Sequence, residues 1–151
     1  MVAKILVDTN VMLYAYDRGA PMKQQRALDT MDRLVHQGMG VLTTQVLAEF
    51  YVNAIRKFEP PLTPEEAYAR LQNYLLSWEV LDMTGQIALE AARGVQSYQM
   101  SYWDAQIWAS ARLNQIPVIL SEDFNAGAVI EGVRFINPFA DDFDLETWLP
   151  A

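Results

Sequence analysis

A chain of 151 residues, 52% apolar and 20% charged, is the size of one compact domain that buries well over half of its unfolded surface. A mean hydropathy of zero argues against both a disordered and a membrane-resident chain, and the absence of cysteine excludes disulfide frameworks, thiolate metal sites and thiol nucleophiles. Nineteen acids against 11 bases give a net charge of −8, a field that repels phosphate backbones over the average surface.

In chain order, Met1-Val2-Ala3-Lys4 leads into an apolar run without a signal peptide's apolar core or cleavage site, so the cytoplasm is the expected address. Lys4 to Val7 reads as a strand buried on both faces. A short helix is expected from about Val11 to Asp17, before Arg18-Gly19-Ala20-Pro21. A second, from Met22 to His36, carries Ala27, Leu28, Met31, Leu34 and Val35 at helical spacing and stops at Gly38. Met39 to Thr43 forms the second strand. The helix from Thr44 collects Val46, Leu47, Phe50, Tyr51, Ala54, Ile55 and Phe58 on one face and is broken by Glu59-Pro60-Pro61.

Thr63-Pro64-Glu65-Glu66 opens a helix to about Ser77 with a hydroxyl cap, proline at the first position and glutamate three after the cap. Val80 to Met83 is a third strand and Gly85 to Tyr98 a helix. Ser101 caps another helix reaching Asn114. Pro117 to Leu120 and Val133 to Ile136 complete about five strands. This alternation predicts a three-layer α/β/α fold with a central, mainly parallel sheet, as one domain over residues 1–151.

In such sheets ligands bind beyond the carboxyl ends of the strands. The first strand delivers Asp8-Thr9-Asn10 there and the fourth delivers Ser121-Glu122-Asp123. Either acid alone also serves as a helix cap or turn residue; two on one edge suggest a site. Asp104 falls with Ile107, Trp108 and Ala111 at i, i+3, i+4 and i+7, which puts a carboxylate on an apolar stripe where it needs a partner or a metal. Its position after Ser101 equally fits a capping box. Glu49 lies opposite the apolar face of its own helix and reads from the pattern as solvent-exposed.

These segments resemble the PIN-domain nucleases, and among them the VapC-type toxins of bacterial toxin-antitoxin pairs. The likeness rests on Ile5 to Asn10, Thr44 to Phe50, Ser101 to Ala105 and Leu120 to Phe124, in family order and spacing, with Asn137-Pro138-Phe139 near the end. The resemblance implies an acidic quartet of Asp8, Glu49, Asp104 and Asp123, with Thr9, Asn10 and Ser121 supporting it. It also implies that Glu49 faces the cleft, against the wheel. Glu122 stands beside Asp123 as a rival; the motif spacing favours Asp123. Oxygen ligands without Cys or a nearby His select Mg²⁺ or Mn²⁺. The implied activity is RNA phosphodiester hydrolysis leaving a 5′ phosphate and a 3′ hydroxyl, with a cognate antitoxin and a homodimer as expected partners.

Alternatives are a PIN-like RNA- or protein-binding module without turnover and an RNA-processing PIN nuclease with no antitoxin. An aspartyl phosphatase is disfavoured because Asn10 stands where that chemistry places its second aspartate. His36, near a helix end, reads as a partner of terminal carbonyls. Trp103, Trp108, Tyr98 and Tyr102 read as core, interface or stacking surface. Arg18, Lys23, Arg26, Arg56 and Lys57 are phosphate contacts by sign or residues of a solvated face. Setting aside the quartet and the acidic stretch of Asp141, Asp142, Asp144 and Glu146 leaves 11 acids against 11 bases, so the charge objection becomes local.

Overall fold

The computed structural model describes residues 3–125 and 127–148; Met1, Val2 and the last three residues, which the one-domain reading over 1–151 includes, lie outside them. Among the described residues six strands form one sheet in the order β3-β2-β1-β4-β6-β5. They are β1 (Ile5–Val7), β2 (Gly40–Thr43), β3 (Glu79–Leu81), β4 (Val118–Leu120), β5 (Val129–Ile130) and β6 (Val133–Ile136). All neighbours pair in parallel except β5 with β6. The central strands β1 and β4 are buried along their whole length, as continuous Ile-Leu-Val runs require when helices cover both faces of a sheet.

The helices are α1 (Thr9–Tyr14), α2 (Pro21–Gln37), α3 (Thr44–Ala54), α4 (Pro64–Ser77), α5 (Gly85–Tyr98), α6 (Tyr102–Leu113) and α7 (Leu145–Trp148). Among the described residues no helix is long and apolar enough to cross a membrane. Local chemistry sets most boundaries. The capping box at Thr63 forms in both directions, with the hydroxyl accepting from the Glu66 N–H at 3.1 Å and the Glu66 carboxylate accepting from the Thr63 N–H at 3.0 Å. Gly38, with φ +64°, ends α2 in the left-handed conformation a glycine adopts at least cost.

Two helices and two short elements depart most from the sequence pattern. The first helix starts at Thr9 because Asp8 is its cap. The third stops at Ala54, four residues before Phe58, where the Leu62 N–H returns to the Ala54 carbonyl at 3.0 Å and takes up a terminal acceptor. The two-residue β5 and the four-residue α7 have no sequence period. Instead, the Trp108 indole donates to the Ile130 carbonyl at 3.1 Å, and Arg33 pairs with Glu146 at 2.9 Å. The acidic C-terminal stretch is thereby folded back onto α2, where Arg26 also stacks over Phe143.

The helices close against glycine at two places. A Cβ at Gly94 of α5 would lie 2.9 Å from the fully buried Trp108 ring of α6. A Cβ at Gly40 of β2 would lie only 2.2 Å from the Trp78 ring. Gly40→Ala should therefore destabilise the fold by about 1–3 kcal/mol through overpacking. The check is the urea midpoint at unchanged m-value; an unaltered midpoint would mean the Trp78 ring gives way freely.

Candidate active site

Sheet order reverses direction between β1 and β4: the chain moves from β1 outward to β2 and β3, then crosses back to β4 on the other side. Such a switch point leaves a crevice at the carboxyl ends of the two strands. Val7 pairs in register with Leu120, so Asp8 and Ser121 leave the sheet side by side, and the Asp8 N–H donates to the Leu120 carbonyl at 2.9 Å.

Asp8 both caps α1 and faces this crevice. Its Oδ1 accepts from the Thr9 N–H at 2.7 Å; its Oδ2 accepts from the buried Ser121 hydroxyl at 2.8 Å and from Asn10 Nδ2 at 3.4 Å. Asn10 Nδ2 also donates to Asp123 Oδ2 at 3.0 Å, and the Asp123 N–H donates to Ser121 Oγ at 3.3 Å. The buried Thr9 hydroxyl donates to Glu49 Oε2 at 2.9 Å, while Gln45 Nε2 donates to Glu49 Oε1 at 3.0 Å. Thr9 thus bridges to Glu49, and Asn10 with Ser121 bridges to Asp123.

The helical wheel of α3 places Glu49 in solvent, whereas the structure half-buries it against α1. The sequence does hold one sign of this: Gln45 stands four residues before Glu49 on the same helix face, within reach of its carboxylate.

Asp104 sits in the first turn of α6, where its N–H donates to the Ser101 hydroxyl at 3.2 Å. Its helix is buried from Ala105 to Ala111, more widely than a single apolar stripe implies. Asp104 itself is half-buried at the exposed end. Electrostatics join it to the other acids. Burial raises its carboxylic acid above the usual range, against the Ser101 hydrogen bond, and the charges of Asp123 and Glu49 add to the rise. Burial likewise pushes Asp8 from 3.8 up to about 6, overcoming Ser121 and Thr9, with Glu49 and Asp104 contributing.

Glu122 points into a different set of contacts. Lys23 pairs with it at 2.5 Å, the Tyr14 hydroxyl donates to it at 2.8 Å, and the Lys23 ammonium lies 4.9 Å from the Tyr14 ring centre. Among the described residues no ion pair reaches Asp8, Glu49, Asp104 or Asp123. Nor do any three acidic or histidine side chains there form a ready-made ligand cluster. The donor set is nevertheless all hard oxygen, crowded and without a compensating cation, which is the chemistry that suits Mg²⁺ or Mn²⁺.

Of the basic candidates, Lys23 is taken by Glu122 and Arg26 donates to the Pro138 carbonyl at 2.8 Å. Lys57 lines a cavity of about 320 Å³ together with Asn10, Phe58 and Asp123. His36 is exposed and bonds the Asp32 carbonyl near the end of α2. The aromatic candidates also separate: Trp108 is core, the Tyr98 hydroxyl donates to Glu131, and Trp103 is 63% exposed.

The family model described as "PIN domain" matches residues 5–129, and the chain belongs to the PIN domain family. Its fold is similar to that of a chain from a toxin-antitoxin complex of Klebsiella pneumoniae, with 18% identity, TM-score 0.65 and coverage of 90% of this chain and 98% of that one. It is similar as well to VapC20 of Mycobacterium tuberculosis, described as a sarcin-ricin loop cleaving toxin, at 19% identity and TM-score 0.63, covering 85% and 98%. A third similar fold occurs in DNA-bound VapBC of Salmonella typhimurium, at 18% identity and TM-score 0.59, covering 89% and 97%. No curated protein matches the sequence.

Proposed function

We propose that this protein is a Mg²⁺- or Mn²⁺-dependent endoribonuclease of VapC type, the toxin of a toxin-antitoxin pair, acting as a homodimer in the cytoplasm. What supports this reading is that Asp8, Glu49, Asp104 and Asp123 stand around one switch-point crevice and that, among the described residues, no ion pair reaches any of them. Asp8 and Asp104 would hold the ion directly, and Glu49 and Asp123 would complete its surroundings through water or by positioning substrate. An ion held there would supply Lewis acidity to the phosphodiester and to the attacking water.

The chain's own residues prepare that site. Thr9, Asn10 and Ser121 each donate to a carboxylate oxygen, which fixes the rotamers of the acids and keeps their free lone pairs towards the crevice. The printed descriptions of the similar folds, as toxin-antitoxin assemblies and a cleaving toxin, favour an antitoxin partner and an RNA substrate.

Purified protein incubated with total RNA and Mg²⁺ or Mn²⁺ should cut at discrete positions and leave 5′ phosphates, read by mapping 5′ ends. Intact RNA with either ion would remove the nuclease reading. Co-expression with the neighbouring gene should suppress the cleavage.

A further inference from the structure

Beside Glu49 the crevice continues into a slot of about 500 Å³. Ala48, Met83 and the exposed Trp103 give it apolar walls, and Thr44, Gln45 and Gln106 contribute polar ones. Gln45 joins this slot to the carboxylates: its Nε2 donates both to Glu49 Oε1 at 3.0 Å and to the Trp103 carbonyl at 3.2 Å. Two acceptors on Nε2 fix which way the amide points. Among the described residues no hydrogen-bond partner reaches its buried Oε1.

We infer that this slot is a nucleobase subsite, in which an unpaired base next to the scissile phosphate stacks on Trp103. The inference rests on the nuclease reading and narrows the substrate to strands that are single-stranded or splayed at that position. Two observations select a base over other occupants. The slot shares Glu49 with the carboxylate crevice, so whatever fills it adjoins the reacting phosphate. A tryptophan 63% exposed at the start of α6 offers a flat face that any base can stack on.

Bases seated in a duplex have both faces already stacked and cannot enter. The slot thereby discriminates by strand state, while the carboxylates act on a phosphodiester common to all sequences.

The experiment titrates Asp8→Asn protein, which leaves RNA uncut, with short single-stranded poly(A) and with the poly(A)·poly(U) duplex while reading tryptophan fluorescence. Saturable quenching by the single strand alone, lost when Trp103→Phe is added, is expected. In the otherwise native protein, Trp103→Ala should raise KM for RNA cleavage roughly tenfold or more with kcat nearly unchanged, and Trp103→Phe should recover most of that loss.

Quenching that persists without Trp103, or a KM unaltered in Trp103→Ala, overturns the proposal even while cleavage stands. Quenching at Trp103 without cleavage by native protein upholds the subsite and removes the nuclease reading. If Trp103→Ala instead changes the sedimentation coefficient or antitoxin retention at constant KM, the slot is a protein interface and the proposal fails.

Discussion

Asp8→Asn is expected to lower RNA cleavage by more than roughly 100-fold while leaving the metal-free protein as stable as the parent or more so. The activity bound follows from outer partners of metal ligands, whose loss typically costs about 10- to 100-fold; a direct ligand should exceed that, and Ser121→Ala should fall inside it. The stability half follows from the raised acid. With Asp8 at about 6 in the fold against 3.8 as its ordinary value, the ionised side chain opposes folding at neutral pH by on the order of 2–3 kcal/mol. Asparagine keeps an oxygen for the Thr9 N–H and turns its amide to the Ser121 hydroxyl, so the cap survives and the charge goes. Single-turnover cleavage and urea unfolding read the two halves separately. Cleavage within tenfold of the parent would exclude Asp8 as a ligand, and a lower urea midpoint would make its role structural.

Divalent ions should raise the melting temperature of EDTA-treated protein by about 5–10 °C at pH 7.5, and much less at pH 5. An ion at 100 times its dissociation constant contributes about 2.7 kcal/mol, and about 1 kcal/mol moves a domain of this size by roughly 2–4 °C. The pH dependence comes from Asp8 and Asp104, both raised by burial. A carboxylic acid raised in the fold stabilises fully below its unfolded value and loses that contribution as pH rises through its folded value. For Asp8 the window runs from 3.8 to about 6. Above it Asp8 is charged beside Glu49 and Asp104, which is when an ion has most to relieve; below it a proton already occupies Asp8.

Glu90 and Glu131 move the other way. Arg93 chiefly lowers Glu90 and the Tyr98 hydroxyl chiefly lowers Glu131, so their stabilisation is present above the ordinary carboxylate value and lost on acidification beneath it. They therefore act at lower pH and do not mask the effect. Scanning calorimetry with EDTA, Mg²⁺ and Mn²⁺ at both pH values decides; an equal shift in Asp8→Asn would place the ion elsewhere.

Much of the architecture was legible because it depends on neighbours in sequence. The Thr63 capping box, the stop at Gly38 and the buried runs Ile5–Val7 and Val118–Leu120 all rest on interactions within a few residues or on a hydrophobic period. The placement of Asp8 and Asp123 on one edge followed from strand polarity alone, and the parallel β1 and β4 carry it out. The pattern missed β5 and α7, whose short lengths give no period and whose visible tethers come from Trp108 of α6 and Arg33 of α2.

What remained open belonged to contacts between distant elements. A helical wheel records only the apolar face of its own helix, so it could not show that Thr9 of α1 covers the polar side of α3 and takes up Glu49. Adjacent acids look alike in sequence, yet Lys23 and Tyr14 claim Glu122 while Asn10 ties Asp123 to Asp8. Composition likewise determined the net charge of −8 but not its distribution. Part of the acidic C-terminal stretch is drawn to α2 by Arg33, and burial keeps the Asp8 acid partly protonated towards neutral pH. Local propensity and hydrophobic period determined the elements and the edge on which the acids stand; which acids share the crevice, and which are neutralised elsewhere, was decided by hydrogen bonds and burial that exist only once α1, α2, α3 and α6 have packed on the sheet.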